Sequence, residues 1–469
     1  MTRTATFEIT GGVRVVVPDH FDAITPYILY EQHDWFEDEI GFLRKLIRRG
    51  NEAIDVGANY GVYTLSMAKA VGPEGKVWAF EPASSTAAFL AQGVAANGFE
   101  HVVLESCALS SQRGSAQLSL NDSSELNSLM RSGQAETASE IVRMETLDNC
   151  MRQYAWKNIG FLKIDAEGEE INIVKGGREF LSAMSPLILY EVKAAEDLHF
   201  DLVSAFAEQG YDSYRLVPGL DLLVPFDSTV KPDDYLLNLF CCKADRAEEL
   251  ASQGFLVRSG EIDAVSNERQ RELQELYGQT HGWQKTLTML PYGAALAERW
   301  SADARNGQNE ILNHTLTWYA MSHDRGLAPI DRFLALRHCY QTMNTLCGGR
   351  PAGLRNVSLA RIAREYGARA VAVNALSSLI ARISSDQSLD LDEVFLAPGE
   401  RFDTVSPGEN LFNWALAGIL EELERASAYS SFFLGASART RLEVISSLGF
   451  ASAEMGRRLE LVRLRFPDS

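Results

Sequence analysis

No stretch of the 469 residues approaches the roughly 18 consecutive apolar residues that span a bilayer. The first thirty residues also lack a basic start followed by an apolar run. Both absences predict a cytoplasmic chain with neither a membrane span nor a secretory leader. Basic residues are scarce: 44 Lys and Arg stand against 63 Asp and Glu, for a formal charge of −19. A surface that acidic repels phosphates, which excludes nucleic acid and anionic membrane as ordinary partners. The densest basic stretch, Arg457 to Arg465, alternates with Leu459, Leu461, Val462 and Leu464 and reads as an amphipathic terminal helix. Cysteine is sparse as well. Cys107, Cys150, Cys241, Cys242, Cys339 and Cys347 show no C-x-x-C spacing. They are expected as reduced core thiols, with neither a disulfide set nor a zinc site.

The chain is too long for one ordinary core, and 46% apolar residues supply material for two. Residues 1–50 read as an adaptor, with a strand at Val13–Val17 and a helix at Asp38–Arg48. Residues 51–245 alternate strands and helices. Apolar runs at Ala53–Val56, Val77–Phe80, Val102–Leu104, Gly160–Ile164 and Leu187–Val192 are separated by helical stretches at Val62–Val71, Thr86–Ala96 and Ile171–Met184. Two further strands are expected at Asp212–Val217 and Leu236–Cys241. Continuous apolar strands between helices predict an α/β fold with a mostly parallel sheet covered on both faces. From residue 246 to 469 the strand signal vanishes and an all-α domain is expected. Leu359-x-x-Ile362 before Gly367 and Leu442-x-x-Ile445 before Gly449 hint at a helix-pair repeat without a clean period.

The strongest local signal is Ile54-Asp55-Val56-Gly57-Ala58-Asn59-Tyr60-Gly61, a strand end, a glycine turn and a helix start. Gly57 permits close backbone approach, Gly61 lets the helix start near the strand, and Asp55 can bind a ligand or anchor the loop. The spacing is G-x-x-x-G after an acid, not the G-x-G-x-x-G that carries a pyrophosphate. An acid beside the loop suits a ligand with an ammonium group and no phosphate, which describes S-adenosylmethionine. Glu81, closing the second strand before Pro82, stands where a carboxylate can accept ribose hydroxyls. The fourth strand ends in Lys163-Ile164-Asp165-Ala166-Glu167-Gly168-Glu169-Glu170. Asp165 there would face the methyl or the acceptor hydroxyl, while Glu167 or Glu170 would cap the next helix. Glu191 ends another buried strand, where it would orient a hydroxyl, act as base, or pair with Lys193.

Taken in order, Ile54–Gly61, Phe80-Glu81-Pro82, Lys163–Gly168, Gly176 and Pro186–Glu191 resemble the FkbM family of methyltransferases over about residues 8–245. The resemblance implies a Rossmann-like domain that uses S-adenosylmethionine, mostly to methylate oxygen on polyketides, sugars and glycans. It implies a cofactor set of Asp55, Gly57, Ala58, Asn59, Tyr60, Gly61, Glu81, Pro82, Ala108 and Asp165. It also places an opening segment, Ile24–Tyr30 and Trp35-Phe36-Glu37, over the cofactor, which adds Glu37. Ala166 stands where the family usually has Val. The helical C-terminal part has no counterpart in the minimal family domain.

Methyl transfer from a sulfonium to a neutral hydroxyl needs alignment and a base. Asp165 is the first candidate, Glu191 the second and Glu167 the third. His33 and His199 are weighed as bases too. Mg²⁺ on Asp165 and Glu167 is the alternative route to an activated hydroxyl and is not the favoured one. The expected acceptor is a hydroxyl of a sugar or glycan. A polyketide or other natural product, a nicotinamide dehydrogenase and a non-catalytic scaffold are the competing readings. Trp283, Trp300, Trp318 and Trp414 read as helix core, and the helical part is expected to dock a protein partner, self-associate or hold an extended acceptor.

Overall fold

The computed structural model describes residues 3–467 except 121–127, 130–137, 195–196, 199, 265–270, 274, 276, 278–281 and 304–307. The chain divides into two compact units. The first comprises Met1–Leu216, Leu223–Pro232 and Leu236–Gln253; the second comprises Val217–Leu222, Asp233–Tyr235 and Gly254–Ser469.

The first unit opens with an antiparallel hairpin, β1 (Thr4–Ile9) and β2 (Val13–Pro18). Helices α1 (Ile24–Gln32) and α2 (Asp38–Leu46) follow. β3 (Glu52–Val56), α3 (Val62–Val71), β4 (Lys76–Phe80), α4 (Ser84–Asn97) and β5 (Val102–Glu105) then form the first strand–helix–strand run. The hairpin rests on α4, where Asn97 accepts from the Arg14 N–H at 2.9 Å and donates to the Arg14 carbonyl at 2.6 Å. Residues 1–50 are therefore part of the same unit as the sheet.

A second sheet with no warning in the sequence reading comes next. β6 (Ala108–Leu109), β7 (Gly114–Ser119), β8 (Ser128–Leu129) and β9 (Ser139–Glu145) pair in the order β6-β9-β7-β8. Its two longer strands, β7 and β9, are mostly exposed or half-buried, so they lack the continuous apolar run that marks the main sheet. Helix α5 (Leu147–Tyr154) starts on a Thr146 hydroxyl that accepts from the Asn149 N–H at 3.1 Å. β10 (Phe161–Ile164), α6 (Glu170–Gly176), α7 (Arg178–Ala183) and β11 (Leu187–Glu191) follow. The single helix expected at Ile171–Met184 is thus two. At Gly176 a Cβ would lie 2.2 Å from the Ser110 carbonyl oxygen, so the chain passes there only without a side chain.

β12 (Lys193–Ala194), β13 (Asp197–Leu198), α8 (Phe200–Ala207), β14 (Asp212–Val217), β15 (Leu222–Pro225), β16 (Asn238–Cys242) and α9 (Ala244–Ser252) complete the set. The main sheet has the order β15-β14-β16-β11-β10-β3-β4-β5. The β11, β10, β3, β4 and β5 strands are parallel; β16 runs antiparallel to β11, and β14, antiparallel to β16, runs in the direction of the parallel set again. Ile54, Val77, Leu162 and Ile188 are each fully or almost fully buried, as strands covered on both faces require.

Beyond Gly254 the described residues form helices. The four tryptophans lie in their cores: Trp283, Trp300, Trp318 and Trp414 are all buried, and Tyr292 stacks on Trp414 at 5.2 Å. Both loosely similar stretches are a helix, a left-handed glycine and a second helix. Arg355–Tyr366 ends at Gly367 (φ 89°) before Arg369–Asp386, and Arg439–Ser447 is followed by Gly449 (φ 84°) before Ala453–Arg465. The terminal helix turns Arg458 inward, so the basic stretch serves packing. Arg458 lies 3.0 Å from Glu454 and 3.7 Å from the fully buried Glu424, which also pairs with Arg441 at 2.7 Å. Glu424→Ala should therefore cost about 3–5 kcal/mol in urea unfolding, because it takes the buried carboxylate from Arg441 and from the buried Arg458, which keeps Glu454. A loss under about 1 kcal/mol would show that the network contributes nothing net. The six cysteines are free thiols, five of them buried, and burial pushes Cys107, Cys150 and Cys242 up to about 12. No helix among the described residues is long and apolar enough to cross a membrane.

Candidate active site

From β3 the chain winds to β4 and β5 on one side, then returns to place β10 and β11 on the other. The connections diverge at the carboxyl ends of β3 and β10, which opens a crevice there; α/β sheets bind ligands at such a point. Register puts Lys163 beside Asp55 and Ile164 beside Val56. The loop after β3 and the loop after β10 therefore rise side by side.

Gly57 has φ +77°, and a Cβ on it would sit 1.6 Å from the Asp165 carbonyl oxygen. The close approach that Gly57 permits is thus to the chain's own β10 loop. Gly57 and Ala58 both donate to the Phe80 carbonyl at 3.0 Å. Asn59, itself left-handed at φ 50°, donates its N–H to Glu81 Oε2 at 2.8 Å. Glu81 Oε1 accepts from the Ala83 N–H at 2.9 Å. These bonds fold the loop back over β4, with Ala58 and Tyr60 buried. Gly61 begins α3 at φ +87°, and a Cβ there would lie 2.2 Å from Leu90 of α4. Pro82 is half-buried at the rim, and Ala108 packs in a small cluster with Ala83.

Burial pushes the Glu81 carboxyl up to about 7, against two backbone N–H groups that hold it down. Each oxygen holds one N–H, leaving further lone pairs for donors. A vicinal diol matches that demand.

Asp55 anchors α3 through Oδ2, while its Oδ1 makes no hydrogen bond among the described residues. It is fully buried and accepts from the Thr64 hydroxyl of α3 at 2.5 Å. Lys163, also buried, lies 2.7 Å from Asp165 Oδ2 and 3.9 Å from Asp55 Oδ1, with its ammonium 5.1 Å from the centre of the Tyr63 ring. Burial alone would lower its pKa, but the carboxylates of Asp165 and Asp55 more than offset that and hold it charged. Tyr63 in turn donates to Glu37. The expected Glu37 thus joins the site by way of α3, and burial followed by the charge of Asp165 raises its pKa. Glu39 stands near it, pushed up to about 8 by burial and by Glu37 and Asp38.

Across the crevice, Asp165, Glu167 and Glu191 each bring a carboxylate oxygen within 4.8 Å of the others. Glu191 is raised to about 10, first by burial and then by Asp165, Glu167, Glu170 and Glu37. The three oxygens would suit a divalent cation, although the Lys163 ammonium already occupies one oxygen of Asp165. Glu170 is no helix cap. Its Oε1 accepts the N–H groups of Ala166 at 2.8 Å and Gly168 at 3.2 Å and ties the β10 loop shut. Glu167 sits at the tip of that loop, left-handed at φ 49° and exposed. His33 forms the C-cap of α1; His199 lies outside the described residues. Lys163, Tyr63, Thr64 and Glu39 were missed as site residues. A lysine inside a strand covered on both faces is the signal that could have found the first, since Lys is almost never buried unpaired.

Residues 55–213 match the model of the methyltransferase FkbM domain. The chain carries an FkbM methyltransferase domain. The matched segment lies inside the span of the sequence resemblance and contains Asp55, Glu81, Asp165 and Glu191. Among curated proteins, the chain is similar to a methyltransferase, sdnD, of Sordaria araneosa, at 26% identity over 34% of this chain and 74% of that protein. It is also similar to the demethylmenaquinone methyltransferase of Anoxybacillus flavithermus, at 29% identity over 19% of this chain and only 37% of that protein. Solved structures with a likeness include the methyltransferase FkbM of Methylobacillus flagellatus, 14% identical, covering 46% of this chain and 58% of that one at a TM-score of 0.28. An S-adenosylmethionine-dependent O-methyltransferase of Thermotoga maritima is 13% identical, covering 51% and 77% at a TM-score of 0.24.

Proposed function

We propose that this FkbM domain transfers a methyl group from S-adenosylmethionine to a hydroxyl oxygen of a sugar or glycan. The observation that carries the reading is the convergence of Asp165, Glu167 and Glu191 within 4.8 Å at the carboxyl edge of the sheet. Carboxylates accept strong hydrogen bonds from hydroxyls, and several in one place suit an acceptor with several hydroxyls. The residues present fit the cofactor: Glu81 offers acceptors for the ribose, the Gly57–Gly61 loop shapes the adjoining wall, and the acids favour a cationic ligand. When bound, the cofactor supplies an electrophilic methyl on a sulfonium.

The protein must orient the hydroxyl and take its proton. Asp165 is paired with Lys163, which fixes its carboxylate and makes it the orienting group. Glu191 is assigned the base. Held at about 10, it is mostly protonated at neutral pH, and the ionised fraction is a stronger base than an ordinary carboxylate. The rate should therefore climb with pH. In the wild type, kcat/KM is expected to rise about tenfold per pH unit between 7 and 9, since it reports the free enzyme's base. In Glu191→Gln it should be low and flat. A variant that keeps the wild-type slope would remove Glu191 from this role.

The direct test offers cofactor bearing a ¹³C-methyl group to sugars, glycans and small hydroxyl compounds. An O-methyl carbon signal on a carbohydrate supports the reading; a methyl on carbon or nitrogen, or on non-carbohydrate acceptors alone, defeats it.

A further inference from the structure

The crevice uses the carboxyl ends of the strands. At the opposite edge, where β3, β4, β10 and β11 begin, lies a second cavity of about 510 Å³, within the first unit. That volume falls in the range of small-molecule sites. The divergence of connections that opens the crevice gives no reason for it.

The lining is rich in donors. Trp78 and Trp156 contribute to the wall, are 3% and 4% exposed, and neither indole N–H finds an acceptor among the described residues. Four cations line the cavity: Arg48, Lys76, Lys157 and Arg246. Only two acids do, Glu52 and Glu249, and Glu249 is paired with Arg246 at 2.6 Å. On a chain of net charge −19, an excess of positive charge around a cavity is a local reversal. The wall is also aromatic. Trp78 and Trp156 meet edge to face at 5.4 Å, Tyr154 stacks on Trp156 at 5.8 Å, and the Lys76 ammonium lies 5.4 Å from the centre of the Trp78 ring.

We propose that this cavity is a second binding site, separate from the methyl-transfer crevice, for a small organic anion with a flat ring, a carboxylate or a phosphate monoester. The cations take the anionic group, and the half-buried Tyr154, backed by the two indoles, takes the ring. Occupied, the site would lie at the roots of β3 and β10, the two strands whose far ends frame the crevice.

The test follows the tryptophan indole N–H signals of the full-length chain by NMR, with Trp78→Phe and Trp156→Phe to assign them. Benzoate and phenyl phosphate are the probes, titrated with S-adenosylhomocysteine present throughout. The expected result is saturable movement of the Trp78 and Trp156 signals. Lys76→Glu combined with Lys157→Glu should weaken it at least about tenfold, as removal of opposite charge predicts. Preference for one probe tells carboxylate from phosphate. No saturable shift up to about 10 mM, or equal binding by the charge-reversed variant, would overturn the proposal. The indole signals report whether or not the thioether binds, so failure here is distinct from failure of the crevice assignment.

Discussion

Gly57→Ala is expected to abolish cofactor binding and to destabilise the first unit by about 3 kcal/mol or more. Two costs combine. A left-handed φ of +77° costs a residue with a Cβ about 1–2 kcal/mol. The new methyl would also stand 1.6 Å from the Asp165 carbonyl oxygen, which is backbone and cannot swing aside. Either the β3 loop or the β10 loop must retreat, and both frame the crevice. Urea unfolding and calorimetry with S-adenosylhomocysteine measure the two effects. A variant of wild-type stability that binds the thioether normally would mean the loops do not meet as described. Gly210→Ala is a useful control, being left-handed at φ +79° with nothing within 4 Å of its Cβ position. It should show the strain alone.

Glu81→Gln should weaken thioether binding about 100-fold while leaving the fold intact. Bonds from hydroxyls to a carboxylate are worth about 1.5–3 kcal/mol each, and the amide loses the charge and one acceptor. The pH dependence gives a second readout. The folded carboxyl titrates near 7 and its unfolded counterpart near 4.5. Between those values the folded chain holds a proton that the unfolded chain releases, so this group's contribution to stability falls as pH rises from 4.5 to 7 and stays low above it. Glu81→Gln lacks that group, so its stability should differ less between pH 5 and pH 8. If the carboxylate binds the ribose, wild-type affinity should also decline below pH 7 and the variant's should not. Unchanged affinity at every pH would leave Glu81 as a loop anchor only, through Asn59 and Ala83.

The main sheet was legible because burial on both faces writes continuous apolar runs. Val62–Val71 was anticipated to the residue, and β3, β4 and β10 to within one. The β6–β9 sheet was illegible for the converse reason, since its longer strands, β7 and β9, are mostly exposed or half-buried and carry no continuous apolar run. β15 has only four residues and sits at a sheet edge. At the site, strand-end acids could be picked out, but not their division of labour. Asp55, Asp165 and Glu81 look alike in sequence. The structure ties the first to Thr64, pairs the second with Lys163, and gives the third two backbone donors. Those partners come from neighbouring strands and from the next helix, at distances in sequence that no local motif records. Gly57 and Gly176 both stand out in the sequence, and for each the closest neighbour is the chain's own backbone.

The measurement that bears most directly on the account is a calorimetric titration of S-adenosylhomocysteine into the full-length chain at pH 8, with NADH as control. One saturable site for the thioether and no heat from NADH is the predicted result. Silence toward the thioether, or saturable binding of NADH in its place, would contradict it.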